Sequence, residues 1–196
     1  MHLTKLTPER YKRMPWKNGG GMTTEILAEP NPNGDGFLWR ISIAEVAMSG
    51  PFSDFSDYLR SIMLLEGNGF ILKCADAAGT VMGGKRLDRP YEPFAFDGAW
   101  ATECSLIDGP IKDFNLMVDR RRMQGALQVQ RLAAGAAQTI TVRGTAVIHL
   151  LKGAIEAGPE RLEAGDTLRI DADRPTELRL AATAQAICAI ATLQSQ

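Results

Sequence analysis

Phe37-Leu38-Trp39-Arg40-Ile41-Ser42-Ile43-Ala44-Glu45-Val46 alternates with a period of two. Phe37, Trp39, Ile41 and Ile43 fall on one face, and Leu38, Arg40, Ser42 and Ala44 on the other. That period belongs to a β-strand. Gly50-Pro51 breaks the run, and the same rhythm of short strand and turn continues outward in both directions. Upstream, Thr24, Ile26 and Ala28 alternate with Thr23, Glu25 and Leu27. Downstream, strands are expected at 60–67, 70–74, 80–82, 91–96 and 101–107, then at 127–132, 138–143, 147–151, 161–162, 167–170, 177–180 and 186–193. Gly, Pro or Asp separates most of them. This spacing predicts an all-β sandwich or barrel. Two helical exceptions are expected: a short helix from Thr7-Pro8-Glu9 that Pro15 stops, and a helix or ordered connection over 116–123.

Leu64-Leu65-Glu66-Gly67 is echoed by Leu150-Leu151-Lys152-Gly153, each copy before further short strands. The echo predicts two copies of one β-barrel unit with a boundary near 118–125. Residues 1–120 would form the first barrel and 121–196 the second. Leu162-Glu163-Ala164-Gly165-Asp166-Thr167-Leu168, a strand, a Gly-Asp turn and a strand, resembles a turn of the cupin barrel.

The 196 residues suit one large domain or two small ones. A net charge of −1 and a longest basic run of only Arg120-Arg121-Arg122 argue against a general nucleic-acid or polybasic membrane surface. That run suits a solvated turn or structural ion pairs. Cys74, Cys104 and Cys188 are odd in number, match no metal spacing and suit buried reduced thiols. Residues 1–10 hold no signal-peptide core, and no window approaches the roughly 18 apolar residues of a spanning helix. A cytoplasmic protein is expected.

Only His2 and His149 are present, so no His-x-His or three-histidine centre can form within one chain. His149 lies in an apolar strand and suits structural packing. Neither GxSxG, nor a P-loop, nor a GxGxxG opening a helix occurs. No metal and no cofactor are expected. A polar pocket is better supported. Arg40 shares a strand face with Ser42 and Ala44. A buried guanidinium either pairs with Glu25, Glu45 or Asp113, or offers paired donors to a ligand carboxylate. Arg60 poses the same choice. Asn18 and Asn115 carry both donor and acceptor, suiting an amide or formyl group or the fixing of a turn. Trp16, Trp39 and Phe114 serve as core or as ligand walls. Glu25 and Asp113 are the two acid/base candidates, with no partner evident in sequence to tune either.

Three dense stretches carry a family resemblance: Trp16-Lys17-Asn18-Gly19-Gly20-Gly21-x-Thr23-x-Glu25; Trp39-Arg40-x-Ser42-x-Ala44 followed by Gly50-Pro51-Phe52-Ser53-x-Phe55 and Arg60; and Asp113-Phe114-Asn115-Leu116-Met117. Together they resemble the HutD/Ves family over roughly residues 5–120. The resemblance implies a bicupin, two cupin-like β-barrels (double-stranded β-helix) in one chain with few short helices. It implies a non-enzymatic, regulatory binder of N-formyl-L-glutamate or another histidine-degradation intermediate, or, in the Ves branch, a stress-related role. It places a ligand site at Trp16, Asn18, Thr23, Glu25, Arg40, Ser42, Arg60, Asp113 and Asn115. The alternatives are a metal-independent isomerase or hydrolase on a small polar substrate, using Glu25 or Asp113, and a stress-related structural protein without a ligand. A homodimer is expected by analogy with paired sheet edges.

Overall fold

The computed structural model describes residues 1–196. Its strands in chain order are β1 (His2–Leu6), β2 (Lys12–Pro15), β3 (Gly21–Pro30), β4 (Phe37–Val46), β5 (Gly50–Pro51), β6 (Tyr58–Glu66), β7 (Phe70–Ala75), β8 (Val81–Leu87), β9 (Phe94–Asp97), β10 (Ala101–Leu106), β11 (Ile111–Asp119), β12 (Met123–Leu132), β13 (Ala137–Lys152), β14 (Ala154–Ala157), β15 (Glu160–Glu163), β16 (Thr167–Ala182) and β17 (Ala186–Ser195). One 3-10 turn, Pro8–Arg10, is the whole of the helical structure. The protein is all-β, and no helix is long and apolar enough to cross a membrane.

The chain divides into two compact units, Tyr11–Arg122 and Met123–Gln196, with Met1–Arg10 belonging to the second. That placement of the first ten residues departs from the sequence reading and comes from β1, which pairs antiparallel with β16, His2 against Asp171 and Leu6 against Thr167. No local pattern announces a partner so distant in sequence. The helix expected from Thr7 is the single 3-10 turn, and Lys12–Pro15 is strand instead. A few residues without an apolar stripe cannot offset the cost of helix nucleation.

The Tyr11–Arg122 unit has two open sheets, ordered β2-β3-β4-β11-β6-β9 and β5-β10-β7-β8. Ala44, Val46, Ile62, Leu64, Phe96 and Ile111 of the first sheet and Phe70, Leu72, Cys74, Leu87 and Cys104 of the second form one buried cluster. Period-two alternation on each sheet thus supplies one shared core. The stretch 116–123, expected as a helix or an ordered connection, is no helix but the end of strand β11 and the turn that leads into β12. β11 lies between β4 and β6 and is buried on both faces, so at its end Leu116-Met117-Val118 are all apolar and the alternation of Asp113 and Asn115 with Phe114 fades.

The second unit is one open sheet, β12-β17-β13-β16-β14-β15 with β1 on β16. Its core alternates along each strand: Ala146, Ile148 and Leu150 of β13, Leu168, Ile170 and Ala172 of β16, and Ala186, Cys188 and Ile190 of β17. β13 and β16 each run 16 residues, where the sequence predicts two short strands apiece. Pairing shifts at Val142/Gly144, so Gly144 makes a bulge rather than the expected turn.

The echoed tetrapeptides take equivalent places. Gly67 and Gly153 both have positive φ, +98° and +81°. A Cβ there would lie 2.6 Å from the Pro110 carbonyl oxygen and 2.2 Å from that of Gln185. Each glycine follows a core strand at a turn tight against backbone, which no other residue tolerates.

Candidate functional site

Strand register gathers the polar motif residues on one face. On β4 they are Arg40, Ser42 and Ala44. On β11, Asp113 faces Ala44, Asn115 faces Ser42 and Met117 faces Arg40. Across the other edge of β11, Arg60 of β6 stands opposite Met117. On β3, Thr23 stands opposite Ala44. These side chains, with Trp16, Asn18 and the loop residues Phe52, Ser53 and Phe55, line one cavity of about 510 Å³.

Two guanidiniums dominate it. Arg60 is 7% exposed and lies over the rings of Phe96 (4.9 Å), Phe52 (5.0 Å) and Phe55 (5.4 Å). Its Nη2 donates to Asn115 Oδ1 at 3.3 Å. Arg40 lies over Phe37 (4.8 Å) and Phe55 (5.5 Å), with Nη2 3.3 Å from the weak acceptor Met117 Sδ. The buried Nε of each arginine has no hydrogen-bond partner. Burial pulls the Arg60 pKa down to about 10 against the pull of Asp113, and the Arg40 pKa is lowered for the same reason against that of Glu25. Both side chains remain cations at neutral pH.

Asp113 is 1% exposed and accepts one hydrogen bond, from Asn115 Nδ2. Burial pushes its pKa up to about 7, partly offset by Arg60 and by that hydrogen bond. The Asn115 amide therefore lies between Arg60 and Asp113, its oxygen toward the cation and its nitrogen toward the carboxyl. The result is a closed polar relay at the base of the cavity rather than a salt bridge.

The glycine run makes the hairpin from β2 to β3 that carries Trp16 and Asn18. Trp16 N–H donates to the Gly21 carbonyl and Gly19 N–H to the Trp16 carbonyl, both at 3.0 Å. A Cβ on Gly21 would sit 2.4 Å from the Glu45 carbonyl oxygen and 3.0 Å from the Trp16 ring, so the strand approach and the indole both require glycine there. Asn18 Oδ1 accepts from Gly20 N–H at 3.0 Å, the turn-fixing role. Trp16 Nε1 donates to Thr23 Oγ1 at 2.8 Å.

Eight of the nine residues singled out in sequence line this cavity: Trp16, Asn18, Thr23, Arg40, Ser42, Arg60, Asp113 and Asn115. Glu25 does not. It stands opposite Ser42, 4.0 Å from Lys12 Nζ, and acts on Arg40 only at longer range. Of the two acid/base candidates, Asp113 alone is in the cavity. Trp39 and Phe114 are buried side chains on alternate positions of β4 and β11, off the Arg40–Asp113 face. Sequence reasoning missed the aromatic cage of Phe37, Phe52, Phe55 and Phe96. Phe37 was assigned to the face opposite Arg40, yet at the start of its strand, beside the register shift at Glu29/Pro30, its ring reaches the guanidinium. Phe52 and Phe55 stand in the motif Gly50-Pro51-Phe52-Ser53-x-Phe55 just before Arg60, but nothing in the sequence brings them and Phe96 over its guanidinium.

No three His, Cys, Asp or Glu side chains gather anywhere as a metal-binding group. His149 belongs to the second unit, buried, with Nδ1 2.8 Å from Thr167 Oγ1, and burial lowers its pKa to about 4. The arginine run is paired: Arg120 with Asp97, Arg121 with Asp57 at 3.4 Å and Arg122 with Asp119 at 3.7 Å.

The HutD family model matches residues 8–189. The chain belongs to the HutD family. A 21.2 kDa protein from the hutC 3′ region of Pseudomonas putida is 35% identical over 173 residues, covering 86% of this chain and 87% of that one. Protein Ves of Citrobacter koseri is 33% identical over 159 residues, covering 78% and 76%. The solved structure of HutD from Pseudomonas fluorescens, in a formate condition, superposes with a TM-score of 0.84 at 31% identity over both whole chains. Fold likeness extends further: a bacterial pirin of Escherichia coli matches with a TM-score of 0.69 at 10% identity, covering 97% and 98%. This HutD-family chain is thus all-β and cupin-like.

Proposed function

We propose that the protein is a metal-independent, small-carboxylate-binding bicupin of the HutD type, two cupin-like barrels of which the first carries the ligand site. The observation behind this reading is the pair Arg40 and Arg60 in one cavity, each with a buried Nε lacking a partner and neither within 4.0 Å of a carboxylate. A buried cation left unpaired costs several kcal/mol, a cost that a bound carboxylate offsets through two parallel N–H···O bonds. The phenylalanine rings hold each guanidinium by its face and leave its edge for such a ligand. A cavity of about 510 Å³ suits a molecule the size of N-formyl-L-glutamate. The hutC-region name of the Pseudomonas putida relative supports a histidine-degradation intermediate as ligand and a regulatory role.

The test is a thermal-shift titration at pH 6 with N-formyl-L-glutamate, urocanate, histidine, glutamate and formate, on wild type and on Arg60→Ala. Ligand at about 100 times its Kd adds roughly 2.7 kcal/mol. A shift with one ligand, absent in a folded Arg60→Ala, is the expected result. No shift with any of the five removes the reading. Asp113 favours a second reading, because a cavity carboxyl with a pKa near 7 suits a general base. An enzyme would convert its ligand, and Asp113→Asn would abolish turnover while keeping binding. Recovery of unchanged ligand after long incubation rejects it.

A further inference from the structure

We propose that Asp113 sets the charge that the cavity accepts, so that a carboxylate ligand binds together with one proton, taken from solvent onto the Asp113 carboxyl. This rests on the carboxylate-site reading above.

The argument starts from what faces Asp113. Arg60 approaches from β6, with Asn115 between; Arg40 stands on the neighbouring β4; Cys104 of the second sheet acts on Asp113, and Cys74 of that sheet acts on Arg60. No guanidinium nitrogen comes within ion-pair distance of its oxygens, and Asn115 Nδ2 is its one hydrogen-bond donor. An ionised, fully buried carboxylate needs two or three donors to replace its water. With one donor, the site holds this carboxyl at the edge of ionisation, and its pKa of about 7 agrees. Cys104 cannot share the titration, since burial and Asp113 push it up to about 12.

A ligand carboxylate on Arg60 changes this balance in one direction. It draws on the cation that favours ionised Asp113 and adds a second negative charge in a dry cavity, so the neutral carboxyl gains. With Asp113 neutral, Arg40 and Arg60 present two positive charges against no internal anion, which matches a dicarboxylate. With Asp113 ionised, the cavity carries a single net positive charge, which one carboxylate neutralises, and the second carboxylate is left without a counter-charge. The residue thereby couples ligand charge to pH through a group that never needs to touch the ligand.

The experiment is isothermal titration calorimetry of the full chain with N-formyl-L-glutamate at pH 6 and pH 8.5. Each titration is run in two buffers of different ionisation enthalpy, on wild type and on Asp113→Asn. The two ligand carboxylates do not titrate in this range. Wild type is expected to take up close to one proton at pH 8.5 and almost none at pH 6. Its Kd should rise by up to tenfold for each pH unit above about 7. Asp113→Asn, which keeps an acceptor for Asn115, should bind with no proton uptake and a Kd independent of pH. Wild-type binding without proton uptake at pH 8.5 overturns the proposal and leaves the carboxylate site standing. No binding at pH 6 overturns both. Proton uptake retained in Asp113→Asn assigns the proton elsewhere and overturns the role of Asp113. If that variant fails to fold, the midpoint of proton uptake in wild type decides: uptake that sets in near pH 7 keeps the role of Asp113, and any other midpoint overturns it.

Discussion

Equivalent strands of the two units carry opposite chemistry at matched positions. The echo that aligns Leu64 with Leu150 and Gly67 with Gly153 aligns Ile62 with Ile148 and Arg60 with Ala146. The neighbouring strands match by register. Asp113 and Asn115 lie across from Leu64 and Ile62 on β11, where Cys188 and Ile190 lie across from Leu150 and Ile148 on β17. Where one unit has Arg60, Asp113 and Asn115 around a cavity, the other has Ala146, Cys188 and Ile190 inside a filled apolar core. Positions matched by the echo pack into a buried apolar core in one unit and line a cavity in the other. A few positions decide which, because the surrounding Ile and Leu positions do not change type.

The comparison breaks most sharply if the polar set is moved. Ala146→Arg places a guanidinium in a core with no aromatic cage and no relay, and Ala146 is 1% exposed. We expect a loss of about 4 kcal/mol or more, read as the urea midpoint by far-ultraviolet circular dichroism. A near-neutral result would mean that the filled core is as permissive as the cavity. Next in size is Gly21→Ala. Its new Cβ would meet the Glu45 carbonyl at 2.4 Å and the Trp16 ring at 3.0 Å. About 2–3 kcal/mol should be lost, with a shift of tryptophan emission as the indole leaves Thr23. Unchanged emission and stability would show that the glycine run does not shape the site.

How much of this was legible in sequence follows from the periodicity of each strand. Arg40, Ser42 and Ala44 share a face because β4 alternates strictly, and that face could be read directly. Asp113 and Asn115 alternate with Phe114, Leu116 and Val118, but both faces of β11 are buried and Met117 interrupts the polar side, so the period alone did not mark a pocket. They came through the motif. The Phe52, Phe55 and Phe96 cage was invisible, because it is made by a loop and a far strand meeting over Arg60. The pairing of β1 with β16 joins residues about 170 apart and leaves no local trace. Gly144 looked like a turn because a glycine at positive φ serves a bulge as well as a turn. The raised pKa of Asp113 depends on complete burial and a single donor, neither of which a sequence states.

Acid and base should separate the units by sign. Folded Asp113 keeps its proton to about pH 7, whereas an unfolded aspartate loses it near 3.9. The folded state thus binds more protons between these values, and the stability of its unit falls as pH rises from about 4 to 7, then levels. Folded His149, held down to about 4, binds fewer protons than an unfolded histidine near 6.5. Its contribution is intact above about 6.5 and is lost as pH falls toward 4. All three tryptophans lie in the Tyr11–Arg122 unit. Tryptophan fluorescence should therefore report the Asp113 slope, about 4 kcal/mol across the window, which Asp113→Asn flattens. His149→Gln should flatten the opposite slope in circular dichroism. Slopes of one sign for both probes would mean that one of the two groups does not titrate as its burial requires.

The smallest expected effect tests which arginines matter. Within the Tyr11–Arg122 unit, the exposed arginines are paired with carboxylates, and Arg40 and Arg60 are not. Arg121 and Asp57 lie 3.4 Å apart with both side chains mostly exposed, whereas Arg60 is buried and its Nε has no partner. Exposed pairs gain little, because water screens the attraction and two long side chains lose freedom to hold it. Arg121→Ala should therefore change stability by less than about 0.5 kcal/mol and leave the Kd for N-formyl-L-glutamate unmoved, measured by calorimetry beside Arg60→Ala. A tenfold weakening in Arg121→Ala would mean that ligand attraction comes from the general cationic surface of the unit. An unmoved Kd beside abolished binding in Arg60→Ala would locate it in the caged, unpaired guanidinium, the position where the other unit carries Ala146.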